Sequence, residues 1–205
     1  MARHLTVITG ASRGMGLAIA QQLLDQGHDL LCISRKTQPA LEERAARAGV
    51  ACEQWPQDLA RAAAVAARLE TWLQSKARGD LESVTLINNA ALLPTIAPLG
   101  HIALQELEDG IRVDLEAPLL LTSAFLRATA AWRATRKVLN ISSGLGRRAM
   151  ASQIAAAWRG GALNVESTNS KCRTPASRTS SAISSTTCSG SRRRYPQPST
   201  FRYVQ

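Results

Sequence analysis

The sequence has no apolar run approaching the roughly 18 residues of a membrane-spanning helix. Its longest apolar cluster, around Pro118 to Leu121, is far shorter. The N-terminal MARHLTVITG passes directly into a strand-like run, without the apolar stretch and small-residue cleavage site of a secretory signal, so none is expected. The four cysteines (Cys32, Cys52, Cys172 and Cys188) show neither metal-ligand nor disulfide-framework spacing. No metal site is expected, and a reducing cytosol is the default compartment. Acidic residues run out late in the chain: residues 147–205 hold ten Lys and Arg against one acid, Glu166, whereas residues 1–146 hold 15 against 14. The net charge of +10 is therefore a property of the last quarter, not a patch spread over a folded surface.

What is present is enough for one ordinary domain. The chain has 205 residues, 45% of them hydrophobic, which can fill a core and excludes global disorder. Over the first 146 residues, strand and helix signals alternate. Short β-rich runs at Leu5 to Ile8, Asp29 to Ser34, Val50 to Gln54, Val84 to Asn88 and Val138 to Ser142 read as strands. Between them, helical spacing predicts helices over Gly14 to Gln26, Ala40 to Ala48, Leu59 to Ala77 and Leu107 to Ala131. The last of these is expected to bury Ile111, Leu115, Leu119, Phe125 and Leu126. Strands separated by helices argue for an α/β fold, a doubly wound parallel sheet of Rossmann-like type.

After about Gln153 the pattern stops. From Val165 to Gln205, 16 of 41 residues are Ser or Thr, and Arg192, Arg193 and Arg194 stand in a row. Neither strand nor helix period persists, so residues 154–205 are expected to be a basic, low-order tail to an α/β domain spanning 1–153.

The turn after the first strand reads Thr9-Gly10-Ala11-Ser12-Arg13-Gly14-Met15-Gly16. Glycines there let the backbone turn tightly and approach a pyrophosphate, which the following helix meets with free N–H groups and its positive end. The strand–turn–helix setting is what gives this motif its weight.

The segment resembles the Thr-Gly-x-x-x-Gly-x-Gly motif of the short-chain dehydrogenase/reductase family. Asp58-Leu59, Asn88-Asn89-Ala90-Ala91 and Asn140-Ile141-Ser142-Ser143 follow in the family's order, so the resemblance covers about residues 4–153. It implies that Gly10, Ser12, Arg13, Gly14, Met15 and Gly16 hold the dinucleotide phosphates. It also implies that Asp58 and Leu59 meet the adenine ring and that Asn89 and Ala90 line the ribose. Asp58 would serve equally as a helix N-cap. An NAD site needs an acid near the end of the second strand; here stand Ser34, Arg35 and Lys36, which with Arg13 suit the 2′-phosphate of NADP(H).

The family's chemistry, hydride exchange with a small-molecule carbonyl or alcohol, uses a serine to orient the carbonyl and a tyrosine as acid/base. A lysine four residues beyond the tyrosine assists it. Ser143 fits the serine, with Ser142 as runner-up. Counting onward by the family's spacing lands on Ala156 and then Gly160, neither of which transfers a proton. The tyrosines are Tyr195 and Tyr203, and neither has a lysine at that spacing. Asp114 stands where the family has an asparagine. Loss of match, rise in Arg, Ser and Thr, and early termination at one place suggest a reading-frame shift near codons 153–157; the competing reading is a tail that evolved as it stands. The expectation is an NADP-dependent oxidoreductase, catalytically impaired in this chain, with the sheet cut short after its fifth strand. Homo-oligomers are typical of the family, an expectation that the departing C-terminal part weakens. The stretch NISSGLGRR resembles the benzil- and sepiapterin-reductase-like branch, implying a diketone or pterin-like substrate. The alternative is a non-catalytic dinucleotide-binding protein whose basic tail contacts an acidic partner or RNA.

Overall fold

In the computed structural model, residues 3–76 and 81–142 are described. Five strands form one parallel sheet in the order β3-β2-β1-β4-β5. They are β1 (Arg3–Thr9), β2 (His28–Ser34), β3 (Cys52–Pro56), β4 (Leu81–Asn88) and β5 (Thr135–Asn140). The order reverses between β1 and β4, and it is at such a switch that an open α/β sheet leaves a crevice beyond its strand ends.

Because side chains alternate across a strand, each strand feeds two cores. Val7, Leu31, Ile33, Trp55, Val84 and Leu86 point one way, onto α3 (Ala62–Ser75) and α5 (Ala117–Ala128). Ile8, Leu30, Cys32 and Ile87 point the other way, onto α1 (Gly14–Asp25) and α2 (Pro39–Ala48). At the rim of the first core the Glu53 carboxylate accepts from two indoles, Trp55 Nε1 at 2.7 Å and Trp72 Nε1 at 2.8 Å. The two rings meet edge to face, which ties α3 to the edge strand.

Several boundaries differ from the expected ones, for local reasons. Strand β3 begins at Cys52 rather than Val50, because Gly49 takes a left-handed φ of 68° and the Val50 N–H closes the end of α2 on the Ala45 carbonyl. The helix expected from Leu59 opens instead as a 3₁₀ turn, Leu59–Arg61, before α3. Strand β5 lies earlier than expected, at Thr135–Asn140.

The largest correction concerns the long helix expected over 107–131. It starts at Leu104 as α4 (Leu104–Ile111), widens into a π-helical segment, Arg112–Glu116, and continues as α5 to Ala128. The wide turn rotates the helix surface relative to a simple 3.6-residue count. Of the five residues expected inside, Phe125 is fully buried, but Ile111, Leu119 and Leu126 are 40%, 52% and 43% exposed. The buried line is Val113, Ala117, Leu121, Ala124, Phe125 and Ala128. Its alanines let α5 lie close along α3, which offers Ala62 and Ala66 in return.

Among the described residues no helix is long and apolar enough to cross a membrane, and no group of three or more metal-ligating side chains occurs. The expected tail, residues 154–205, lies outside the described residues.

Candidate functional site

At the C-terminal ends of β1, β2, β3 and β4 lies a cleft of about 460 Å³. Gly10, with a φ of 71°, turns the chain out of β1, and Gly14, with a φ of 57°, turns it into α1; both lie in the left-handed region that favours glycine. Gly16 answers a different need. A Cβ there would lie 2.2 Å from the Gly10 carbonyl oxygen and 2.3 Å from Asn89 Nδ2, so a side chain is excluded.

This packing presses the glycine turn against the start of the loop after β4, and hydrogen bonds hold it there. Asn89 Nδ2 donates to the carbonyls of Thr9 (3.0 Å) and Gly10 (3.2 Å). The buried Thr9 hydroxyl accepts from the N–H groups of Asn89 and Ala90, both at 3.0 Å. Asn89 lines the cleft, yet its side-chain amide also braces the turn, a role its position in the sequence did not reveal.

Helix α1 begins with Arg13 at its N-cap, with no side-chain cap and no acid in its first turn. The first-turn N–H groups and the positive end of the helix dipole therefore face the cleft without a competing carboxylate. Gly10, Ser12, Arg13, Gly14, Met15 and Gly16 form this wall.

Ser34 and Arg35 follow β2 on the next wall. The Ser34 hydroxyl is buried and accepts from the Ala11 N–H at 2.8 Å. With that lone pair engaged, its hydrogen is left to donate to an acceptor in the cleft. Arg13 and Arg35 are exposed, and among the described residues neither has a carboxylate partner. Two residues before Ser34, a hydrogen bond donated by the Cys32 thiol to Cys52, together with burial, pushes Cys32 well above the usual thiol range.

Asp58 and Leu59 close the adjacent side. Asp58 accepts from the Ala60 N–H at 3.0 Å, capping the 3₁₀ turn. Asn89 and Ala90 complete the set, so the twelve residues singled out for the dinucleotide converge on one cleft. Sequence reasoning missed Ile33, Gln57, Leu92 and Val113, which also line it. Val113 comes from the π-helical segment, and nothing local marks it. Its neighbour Asp114 is buried and accepts from the Leu92 N–H at 2.9 Å, pinning the cleft's floor to the helix.

At the end of β5, Asn88 Nδ2 donates to Asn140 Oδ1 at 2.8 Å and to Thr122 Oγ1 at 3.2 Å, and Ile141 N–H donates to the Asn88 carbonyl. Ser142 follows, exposed. Ser143, the expected carbonyl-orienting serine, lies outside the described residues, as do Ala156, Gly160, Tyr195 and Tyr203. The described cleft thus presents the first-turn N–H groups of α1 and two exposed guanidiniums, and among the described residues there is no tyrosine to move a proton within it.

The profile of the short chain dehydrogenase family matches residues 4–157. Benzil reductase ((S)-benzoin forming) of Bacillus cereus is 31% identical over 141 residues, 69% of this chain and 57% of that protein. The enzyme of the same name from Bacillus subtilis (strain 168) is 33% identical over 141 residues, with 69% of this chain and 55% of that protein covered. The chain thus spans little more than half the length of these curated relatives. A crystal structure of a short-chain dehydrogenase/reductase from Burkholderia vietnamiensis superposes with a TM-score of 0.70 at 34% identity, covering 78% of this chain and 73% of that one. A metagenomic short-chain oxidoreductase in complex with NADP gives 0.69 at 32% identity, covering 78% and 70%.

Proposed function

The chain belongs to the short chain dehydrogenase family, and from that premise we propose that it is an NADP(H)-binding oxidoreductase acting on a carbonyl or alcohol, catalytically impaired in the form given. The observation that carries the cofactor choice is the pair of exposed guanidiniums, Arg13 and Arg35, neither with a carboxylate partner among the described residues, beside a Ser34 hydroxyl that accepts from the Ala11 N–H. All three suit a 2′-phosphate, and no acid stands at the end of β2 to accept from a free ribose 2′-OH. The glycine turn fits the diphosphate for the reason already given: at Gly16 a side chain would fill the space the turn needs. The cofactor-bound metagenomic relative carries NADP, which supports this reading.

NADPH is expected to bind the full chain roughly ten- to a hundredfold more tightly than NADH, equivalent to about 1.5–3 kcal/mol of lost phosphate contact. Fluorescence titration with both cofactors checks this. Arg35→Ser should shrink the preference, and equal affinities in the unmodified chain would overturn the assignment.

The bound nicotinamide supplies the hydride. In this proposal the chain's own contribution is to polarise the substrate carbonyl through Ser143 and to hold the dinucleotide through the cleft. Hydride addition leaves an alkoxide that must be protonated, and Ala156 and Gly160 supply neither a proton nor a cation where the family has tyrosine and lysine. General acid/base help of roughly 10²–10⁴-fold is lost with them. Background turnover is the expected result when NADPH oxidation is followed with aldehydes, ketones and diketones. Diketones lead that panel because the curated relatives are named for benzil reduction. Robust turnover would show that another group, such as Asp114 or Tyr195, acts as the acid.

A further inference from the structure

The sheet's other end, away from the cleft, carries a cluster that nucleotide binding does not use. His4 on β1 and His28 on β2 are register partners on adjacent parallel strands, and their rings stack with centroids 4.8 Å apart and planes inclined by 27°. Each ring is fixed by a hydroxyl. His4 Nδ1 is hydrogen-bonded to Ser83 Oγ at 2.8 Å, and His28 Nδ1 to Thr6 Oγ1 at 3.0 Å. Ser83 and Thr6 are both buried, so the pair is seated on a rigid base.

The charges around the pair are unevenly matched. On β5 the side chain acting on His28 is Lys137, a cation. On β2 the neighbouring anion is Asp29, but it is already held by Arg3 at 2.9 Å and by the Ala51 N–H at 2.9 Å. The acid closing α1, Asp25, is committed to Arg44. Among the described residues, a proton on His28 would thus face a stacked imidazole and a lysine, with one anion nearby that is shared among other partners.

We propose that the stacked His4–His28 pair is an acid-sensitive latch, which holds the N-terminal ends of β1 and β2 together while His28 is neutral and releases them when His28 is protonated. Desolvation, followed by the charges of His4 and Lys137, holds the His28 pKa below its usual value. The unfolded or locally opened chain takes up its proton near the ordinary pH of about 6.5. It therefore binds more protons than the folded form below that pH. The latch's contribution is complete above about 6.5 and is lost as the pH falls below it.

Hydrogen exchange on the full chain at pH 7.5, 6.5 and 5.5, corrected for intrinsic rates, tests this. Protection in peptides covering 3–9 and 28–34 should fall on acidification by up to about tenfold for each pH unit by which His28 lies below its free value. Peptides from α5, which has no histidine, should hold their protection. His28→Gln should flatten the pH response. Lys137→Gln, an exposed change that leaves the packing intact, should make it shallower, and this keeps the test decisive if His28→Gln does not fold. Equal acid loss in β1–β2 and α5 peptides, or a Lys137→Gln response identical to that of the unmodified chain, would overturn the proposal.

Discussion

The two faces of the sheet are covered differently. Toward α3 and α5, every strand from β3 to β4 contributes a buried apolar residue, and Val138 on β5 packs against the same core. Toward α1 and α2, burial reaches from β3 across to Ile87 on β4 and then gives way. On that side of β5, Lys137 is exposed and Leu139 is 47% exposed, and among the described residues no helix lies over them. The difference follows from topology: in right-handed crossovers the connections leaving β3 and β4 fall on one face, and those leaving β1 and β2 fall on the other. Among the described residues, β5 is thus covered on one side only.

The greatest expected loss comes from breaking the complete side. Phe125→Ala removes a fully buried ring between α5 and the sheet, and should destabilise the chain by about 3–5 kcal/mol in urea unfolding. A loss below about 1 kcal/mol would mean that this core is loosely packed. A smaller effect is expected at the junction of the two halves, where Gly16→Ala forces a methyl against the Gly10 carbonyl. Overpacking of this kind should cost about 1–3 kcal/mol. It should weaken NADPH binding more than it lowers stability, because under the proposed function the displaced atoms border the diphosphate. Unchanged NADPH affinity in this variant would separate the glycine turn from the nucleotide site.

The smallest effect belongs to the open side. Leu139→Ala should cost less than about 1 kcal/mol, since half of the side chain already meets water. The same substitution should reduce binding of a hydrophobic dye, which the exposed apolar side of β5 is expected to attract. A loss comparable to that of Phe125→Ala would show that another part of the chain seals this face.

Much of this was legible locally. The strand order along the chain and the glycine turn follow from short-range patterns, such as β-rich runs between helical spacing, or glycines where a Cβ has no room. That the twelve residues would share one cleft was legible for the same reason, since they gather at the ends of strands and strand ends in a parallel sheet point to one side. Val113 and Leu92 were not, because they reach the cleft through the π-helical turn and the Asp114 contact, neither of which leaves a mark in the neighbouring sequence. The buried side of α5 was misread for a related reason: Leu119 and Leu126 are more hydrophobic than Ala117, Ala124 and Ala128, yet the alanines are buried in the core shared with α3.

The sequence alone determined that alternating strands and helices form a parallel sheet, that the first turn is glycine-rich, and that the end of β2 is basic. These are matters of residue type and spacing within a few positions. Only the tertiary structure decided that Asn89 braces the glycine turn and that Glu53 bridges two indoles. It likewise decided that His4 stacks on His28 and that small residues line the α3–α5 contact. Each of these depends on the distance between groups far apart in the chain, and that distance is set only when the strands pair in register and the helices close on the sheet.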